Sequence, residues 1–191
     1  MPAFDVPRLD PAVASVIMVA LALLFARAAL DKFQDLARFR GVLEAYSLLP
    51  AALAARVAPL VPLVESSIAA GLLAACIHDA LRPAAGVAAA ALLGVYGAAI
   101  GINLARGRKT LDCGCTAPGE RRPIGFWMVV RNTLLAGVAM LAAMPGEGRV
   151  LGLIDAPLLV GGLIACVALY ATADLLLGKV APVTATLRRA R

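Results

Sequence analysis

Charge is scarce in this chain. Of its 191 residues only 16% are Asp, Glu, Lys or Arg, where an ordinary globular domain carries about a quarter. That shortage excludes a disordered chain and argues against a soluble enzyme. Histidine is all but missing: a single residue, His78, removes bis-histidine haem ligation and His-rich metal sites. Four cysteines are too few and too scattered for a disulfide scaffold. Aromatic residues make up 5%, and no basic run is interleaved with them. The net charge of +6 therefore does not point to nucleic acid, which is excluded as a partner. The opening Met1-Pro2-Ala3-Phe4-Asp5 lacks a basic stretch, and no short apolar core ends in a cleavage signature, so the first apolar run is expected to be a retained span.

What remains is apolar: 62% of residues are hydrophobic and the mean hydropathy is +0.89. Crossing a bilayer takes a helix of about 20 mainly apolar residues, and five segments qualify, at 11–30, 58–77, 84–105, 124–144 and 156–177. No alternating strand pattern appears, and lipid offers no partner to an open strand edge, so the spans are helices. The expected fold is all-α, a polytopic membrane bundle of about five helices forming one domain over residues 1–191. Gly94, Gly97, Gly101, Gly161 and Gly162 are placed to let helix backbones approach closely. Between the first two spans, Phe33, Leu36, Phe39, Leu43 and Tyr46 recur at helical spacing. This segment is either an amphipathic helix at the membrane interface or an ordinary surface helix of the loop.

Five spans put the chain's ends on opposite sides. One side holds Arg8, Arg82 and Arg149. The other holds Lys32, Arg38, Arg40 and Arg56, the loop residues Arg106, Arg108, Lys109, Arg121 and Arg122, and Lys179, Arg188, Arg189 and Arg191 in the basic tail, 178–191. The positive-inside rule puts the loop at 106–123 in the cytoplasm, whereas disulfide chemistry on exported proteins needs it on the outer face, and the sequence leaves the side open.

That loop carries Asp112-Cys113-Gly114-Cys115. Two cysteines one residue apart can close a very small disulfide ring, and the glycine relaxes its backbone. A strained, exposed disulfide is readily reduced, which suits a redox pair. Arg106, Arg108, Lys109, Arg121 and Arg122 would favour the thiolate that attacks in exchange, while Asp112 opposes them. Inert or permanently bridged loop cysteines remain open alternatives. So does a metal site, although no third or fourth Cys or His stands nearby to complete a zinc set. Cys76 and Cys166 read as small apolar residues in spans, with a second redox pair as the sharper alternative.

Ionisable residues inside spans are costly and face a partner or a cavity. Glu65 in the second span and Arg131 in the fourth fall at similar depth, and are expected to pair across the bundle, with Asn132 or Asn103 completing the hydrogen bonds. Arg27, Asp31 and Lys32, near the end of the first span, and Asp174, near the end of the fifth, read as interfacial anchors. His78 reads as a solvated loop residue.

Several landmarks stand in a recognisable order: Leu30-Asp31-Lys32-Phe33, Tyr46-Ser47-Leu48-Leu49-Pro50, Pro62-Leu63-Val64-Glu65, Arg106-Gly107, Asp112-Cys113-Gly114-Cys115 and Val130-Arg131-Asn132. On these the chain resembles the MauE family of methylamine-utilisation membrane proteins, grouped with DoxX-like redox-associated proteins. The resemblance implies a bacterial inner-membrane protein required while the disulfide-rich small subunit of methylamine dehydrogenase matures, with a thioredoxin-like companion of MauD type. The layout is also similar to membrane thiol oxidoreductases of the DsbB and vitamin K epoxide reductase type, which pass electrons to a quinone. A quinone is therefore open to this chain, although no residue of the sequence marks a site for it.

The expected function is thiol–disulfide exchange by Cys113 and Cys115 with such a partner. Its rivals are a non-enzymatic scaffold that holds an assembling enzyme at the membrane, and a small transporter resting on Glu65 and Arg131. The transporter lacks inverted halves or broken helices.

Overall fold

The computed structural model describes residues 9–113, 123–145, 149 and 151–189, with 177–189 described by their backbone alone. Seven α-helices follow in order: α1 Pro11–Gln34, α2 Leu36–Tyr46, α3 Ala51–Val57, α4 Leu60–Ala75, α5 Arg82–Ala105, α6 Phe126–Ala142 and α7 Ala156–Arg189. The protein is a polytopic helical bundle. Leu63, Leu134, Ile164 and Leu169 are among many large apolar side chains on its outside, where a soluble protein would place charge.

Local chemistry sets the boundaries. Asp10 caps α1 by accepting from the Ala12 amide at 2.8 Å, with Pro11 in the first turn. Asp35 ends α1 and caps α2, accepting from the Arg38 amide at 2.9 Å. Ser47 then closes α2 in the left-handed region at φ 50°, a conformation that frees the chain to turn. Pro59 and Pro62 bring no amide hydrogen to the ladder, and the second span divides there into α3 and α4.

Four of the five expected spans reappear as long apolar helical segments, Pro11–Gln34, Ala51–Ala75, Asp79–Ala105 and Leu153–Leu176. The second starts seven residues before the expected 58, because α3 leads into α4. The fourth is shorter: α6 has 17 residues, about 26 Å at 1.5 Å per residue, against a hydrocarbon core of about 30 Å. The segment at 178–191, expected as a tail, continues α7 as helix to Arg189.

The core forms where α1, α4, α5 and α6 meet, from Met18, Leu21, Phe25, Leu72 and Leu93 with many alanines between them. α4 packs mainly on α1 and α5, α6 on α5 and α1, and α7 on α1. Among the described glycines the tightest surroundings are at Gly86, which the sequence did not single out. A Cβ there would stand 2.7 Å from both the Ala139 carbonyl oxygen and the Ala143 Cβ. Gly97 faces Asn132 and Gly162 faces Val16, while Gly94 and Gly161 have nothing within 4 Å. Gly86→Leu is therefore expected to lower bundle stability by about 1–3 kcal/mol through forced separation of α5 and α6. Gly94→Leu should stay within about 0.5 kcal/mol. Unfolding of both variants in mixed detergent micelles checks the contrast.

α2 is a separate amphipathic helix, as expected. Its buried residues, Phe39 and Tyr46, pack against the rest of the bundle, which assigns part of the apolar stripe to protein contact.

Candidate functional site

Two polar features sit on this scaffold. The first surrounds Glu65, which is fully buried in α4. Lys32, near the end of α1, donates to Glu65 Oε1 at 2.7 Å, and the Tyr96 hydroxyl of α5 donates to the same oxygen at 2.7 Å. The Lys32 ammonium also lies 5.3 Å from the Phe39 ring centroid and 5.5 Å from that of Tyr96, a cation–π setting that offsets part of its desolvation. Glu65 Oε2 has no hydrogen-bond partner.

This arrangement corrects two expectations. Glu65 does not pair with Arg131, and Lys32 is not an interfacial anchor but a buried ion-pair partner. Arg131 of α6 donates from Nη1 to Asp174 at 3.1 Å and to the Tyr170 hydroxyl at 3.3 Å, both on α7, so Asp174 likewise has a specific partner. The physical reason is lateral. Glu65 and Arg131 border the same cavity, but α4 and α6 each pack on α1 and α5 rather than on each other. Nor do the two asparagines complete a network: Asn132 Nδ2 donates to the Met128 carbonyl at 2.8 Å, and Asn103 Nδ2 to that of Ala99 at 3.1 Å. Both bonds lie within their own helices. Arg27 and Asp31 do form an i,i+4 pair at 3.2 Å with the arginine largely exposed, as an anchor would. His78 is exposed.

The second feature is the neck of the cysteine loop. Asp112 pairs with Pro123 in an antiparallel bridge, and the Ile124 amide donates to the Leu111 carbonyl at 2.9 Å. The two ends of the loop are thereby held together where α5 hands over to α6. Arg38 of α2 donates to Asp112 at 2.7 Å, tying α2 to the neck. That hydrogen bond holds the guanidinium above its ordinary pKa, and Cys113 adds to the effect. Cys113 is only 8% exposed and packs with Tyr46, Ile100, Ile124 and Met128, where the sequence suggested an exposed polar loop. Cys115, Arg121 and Arg122 lie outside the described residues.

Of the other cations expected around the cysteines, Arg106 and Arg108 donate to the carbonyls of Ser47 and Ala45 at 3.4 and 3.3 Å. They meet the C-terminal end of α2, where the helix dipole favours positive charge. Lys109 is exposed. Among the described residues, the cation nearest in role to Cys113 is thus Arg38, which sequence reasoning named only in the charge count. Cys76 and Cys166 are not bonded to one another: Cys76 packs against the central core, and Cys166 lines a cavity between α1, α6 and α7.

Comparison with known proteins shows the family. Residues 10–145 match the family described as methylamine utilisation protein MauE. That stretch includes Lys32, Arg38, Glu65, Tyr96, Cys113 and Arg131. A methylamine utilization protein MauE of Paracoccus denitrificans is 42% identical over 136 residues, 71% of this chain and 70% of the relative. One of Methylophilus methylotrophus is 36% identical over 171 residues, 88% of each. A third, of Methylorubrum extorquens, is 36% identical over 133 residues, 70% of this chain and 68% of the relative. No solved structure matches. An integral membrane bundle with this ordered set of residues, matched over most of its length, belongs to the MauE family.

Proposed function

We propose that this chain serves methylamine utilisation in the bacterial inner membrane by thiol–disulfide exchange through Cys113 and Cys115. The partner is a thioredoxin-like protein of MauD type. The beneficiary is a maturing enzyme, by resemblance the small subunit of methylamine dehydrogenase. The relatives' names support the pathway. The observation that carries the chemistry is the pinned neck: Asp112–Pro123 and Arg38–Asp112 hold one cysteine of the pair at a fixed place on the bundle.

Exchange runs through a mixed disulfide. In the reducing direction, one thiolate of this chain attacks a sulfur of the partner's disulfide, and the other partner sulfur leaves as a thiolate. The second cysteine then attacks the mixed disulfide, closing Cys113–Cys115 and releasing the partner as a dithiol, two electrons richer. The reverse sequence oxidises the partner. Burial suits Cys113 to the second, resolving attack, with Cys115 making the first.

Cys113→Ser is accordingly expected to trap a mixed disulfide with the thioredoxin-like partner, and Cys115→Ser to abolish it, with maturation lost in both. Non-reducing electrophoresis after acid quenching reads the adduct. The burial of Cys113 also favours a second reading, a scaffold in which the cysteines are structural. That reading predicts matured enzyme in both serine variants and loss only when the whole chain is deleted.

The side of the membrane follows from impermeant maleimide labelling of intact cells, in a Cys76→Ala/Cys166→Ala background, with and without an impermeant reductant. Exchange with exported proteins requires labelling from outside, an oxidising compartment. The basic residues of the loop predict labelling only after lysis. That outcome would leave electron delivery from the cytoplasm as the role of the pair.

A further inference from the structure

The cavity between α1, α6 and α7 has a volume of about 530 Å³ and is walled mainly by aliphatic and aromatic side chains. Glu65, Tyr96, Arg131 and Asn132 supply its polar wall, together with the Arg27–Asp31 pair and Tyr170. Such a combination, an apolar body with a few convergent polar groups, is the usual make-up of a small-molecule site. Glu65 adds an independent indication. Its Oε1 already receives Lys32 and Tyr96, whereas Oε2 is buried with no partner, and a buried carboxylate oxygen left without a donor is costly. From these we infer that the cavity binds a membrane-dissolved molecule with a hydroxyl head on an apolar tail, its hydroxyl donating to Glu65 Oε2.

Two bilayer constituents offer this chemistry: an isoprenoid hydroquinone and a lipid bearing an unesterified glycerol hydroxyl. Position makes the hydroquinone the more consequential. Tyr96, in the cavity wall, precedes Ile100 by four residues on α5, and Asn132, also in the wall, follows Met128 by four on α6. Ile100 and Met128 belong to the same buried apolar cluster as Cys113. The hydroxyl end of the cavity therefore lies about one helical turn, ~6 Å along two helices, from the nest of Cys113. Binding itself does not rest on the thiol chemistry proposed for the cysteines, and its test has no activity in it.

The full chain, in phosphatidylcholine nanodiscs under nitrogen, is titrated with radiolabelled short-chain ubiquinol and, separately, with dioctanoylglycerol, with protein-free nanodiscs as the blank. Saturable binding near one molecule per chain is expected for at least one of them. Binding of ubiquinol alone identifies the hydroquinone source, and binding of dioctanoylglycerol alone the lipid source; mutual displacement shows that the site reads the hydroxyl head common to both.

In the hydroquinone arm, the oxidised quinone has lost its donor and is expected to bind about tenfold or more weakly. Ala20→Trp, which fills the cavity wall without touching the Lys32–Glu65 pair, should remove the saturable component while the unfolding transition stays in place. Glu65→Gln, where it folds, should weaken binding by about tenfold or more. Absence of saturable binding by both ligands would overturn the inference, as would binding unchanged by Ala20→Trp.

Discussion

Glu65→Leu alone is expected to destabilise the bundle by about 3–5 kcal/mol, and adding Lys32→Met to restore most of that loss. The Lys32 side chain is 2% exposed and that of Glu65 is fully buried. Removing the carboxylate strands an ammonium in an apolar interior with only the Ala28 carbonyl, 3.4 Å away, and two aromatic faces for company. The double variant removes both charges and leaves side chains of similar volume, so the desolvation cost disappears with the pair. Combining Glu65→Leu with Arg131→Met should instead give additive losses, because Arg131 is bonded to Asp174 and Tyr170 on another helix. Thermal or micellar unfolding of the single and double variants measures both couplings. Additive losses for Lys32 and Glu65 would refute the buried pair, and recovery by Arg131→Met would reinstate the partner that depth alone suggested.

That contrast marks how far the sequence could be read. Spans were legible because apolar length is a one-dimensional property, and four of them returned as long apolar helical segments, the second starting seven residues early and divided into α3 and α4. Glu65 and Arg131 border one cavity without pairing. Which helices stand side by side is two-dimensional information that no count along the chain contains. Lys32 therefore passed for an anchor, and Tyr96 went unnoticed among the alanines and glycines of α5. The α3–α4 division had a signal, since Pro59 and Pro62 sit inside the stretch read as a uniform span. Arg38 was hidden because its role comes from a contact 74 residues away in sequence. The burial of Cys113 was hidden too: a polar loop sequence gives no hint that its neck folds back onto Tyr46 and Met128.

The second large effect concerns that neck. Arg38→Gln is expected to slow alkylation of the Cys113 thiol at neutral pH about tenfold, and Asp112→Asn to speed it. The sign follows from the charges. Arg38 is a cation whose field reaches Cys113 and favours the thiolate. Asp112 both opposes the thiolate and draws the guanidinium to itself through the 2.7 Å bond. Neutralising Asp112 leaves the guanidinium's field uncancelled at the thiol. Iodoacetamide rates across pH, in fully reduced protein carrying Cys76→Ser, Cys115→Ser and Cys166→Ser, isolate Cys113 and give its titration directly. Arg108→Gln serves as the comparison, since its guanidinium meets the α2 carbonyl end and should leave the titration nearly unmoved. Equal shifts from Arg38→Gln and Arg108→Gln would mean that the basic loop as a whole sets the thiol, as charge counting suggests. Shifts of opposite sign at Arg38 and Asp112, with Arg108 silent, would place the control of Cys113 in one ion pair between α2 and the loop neck. The same pair that positions the cysteine would then set its reactivity, so that movement of α2 alters both at once.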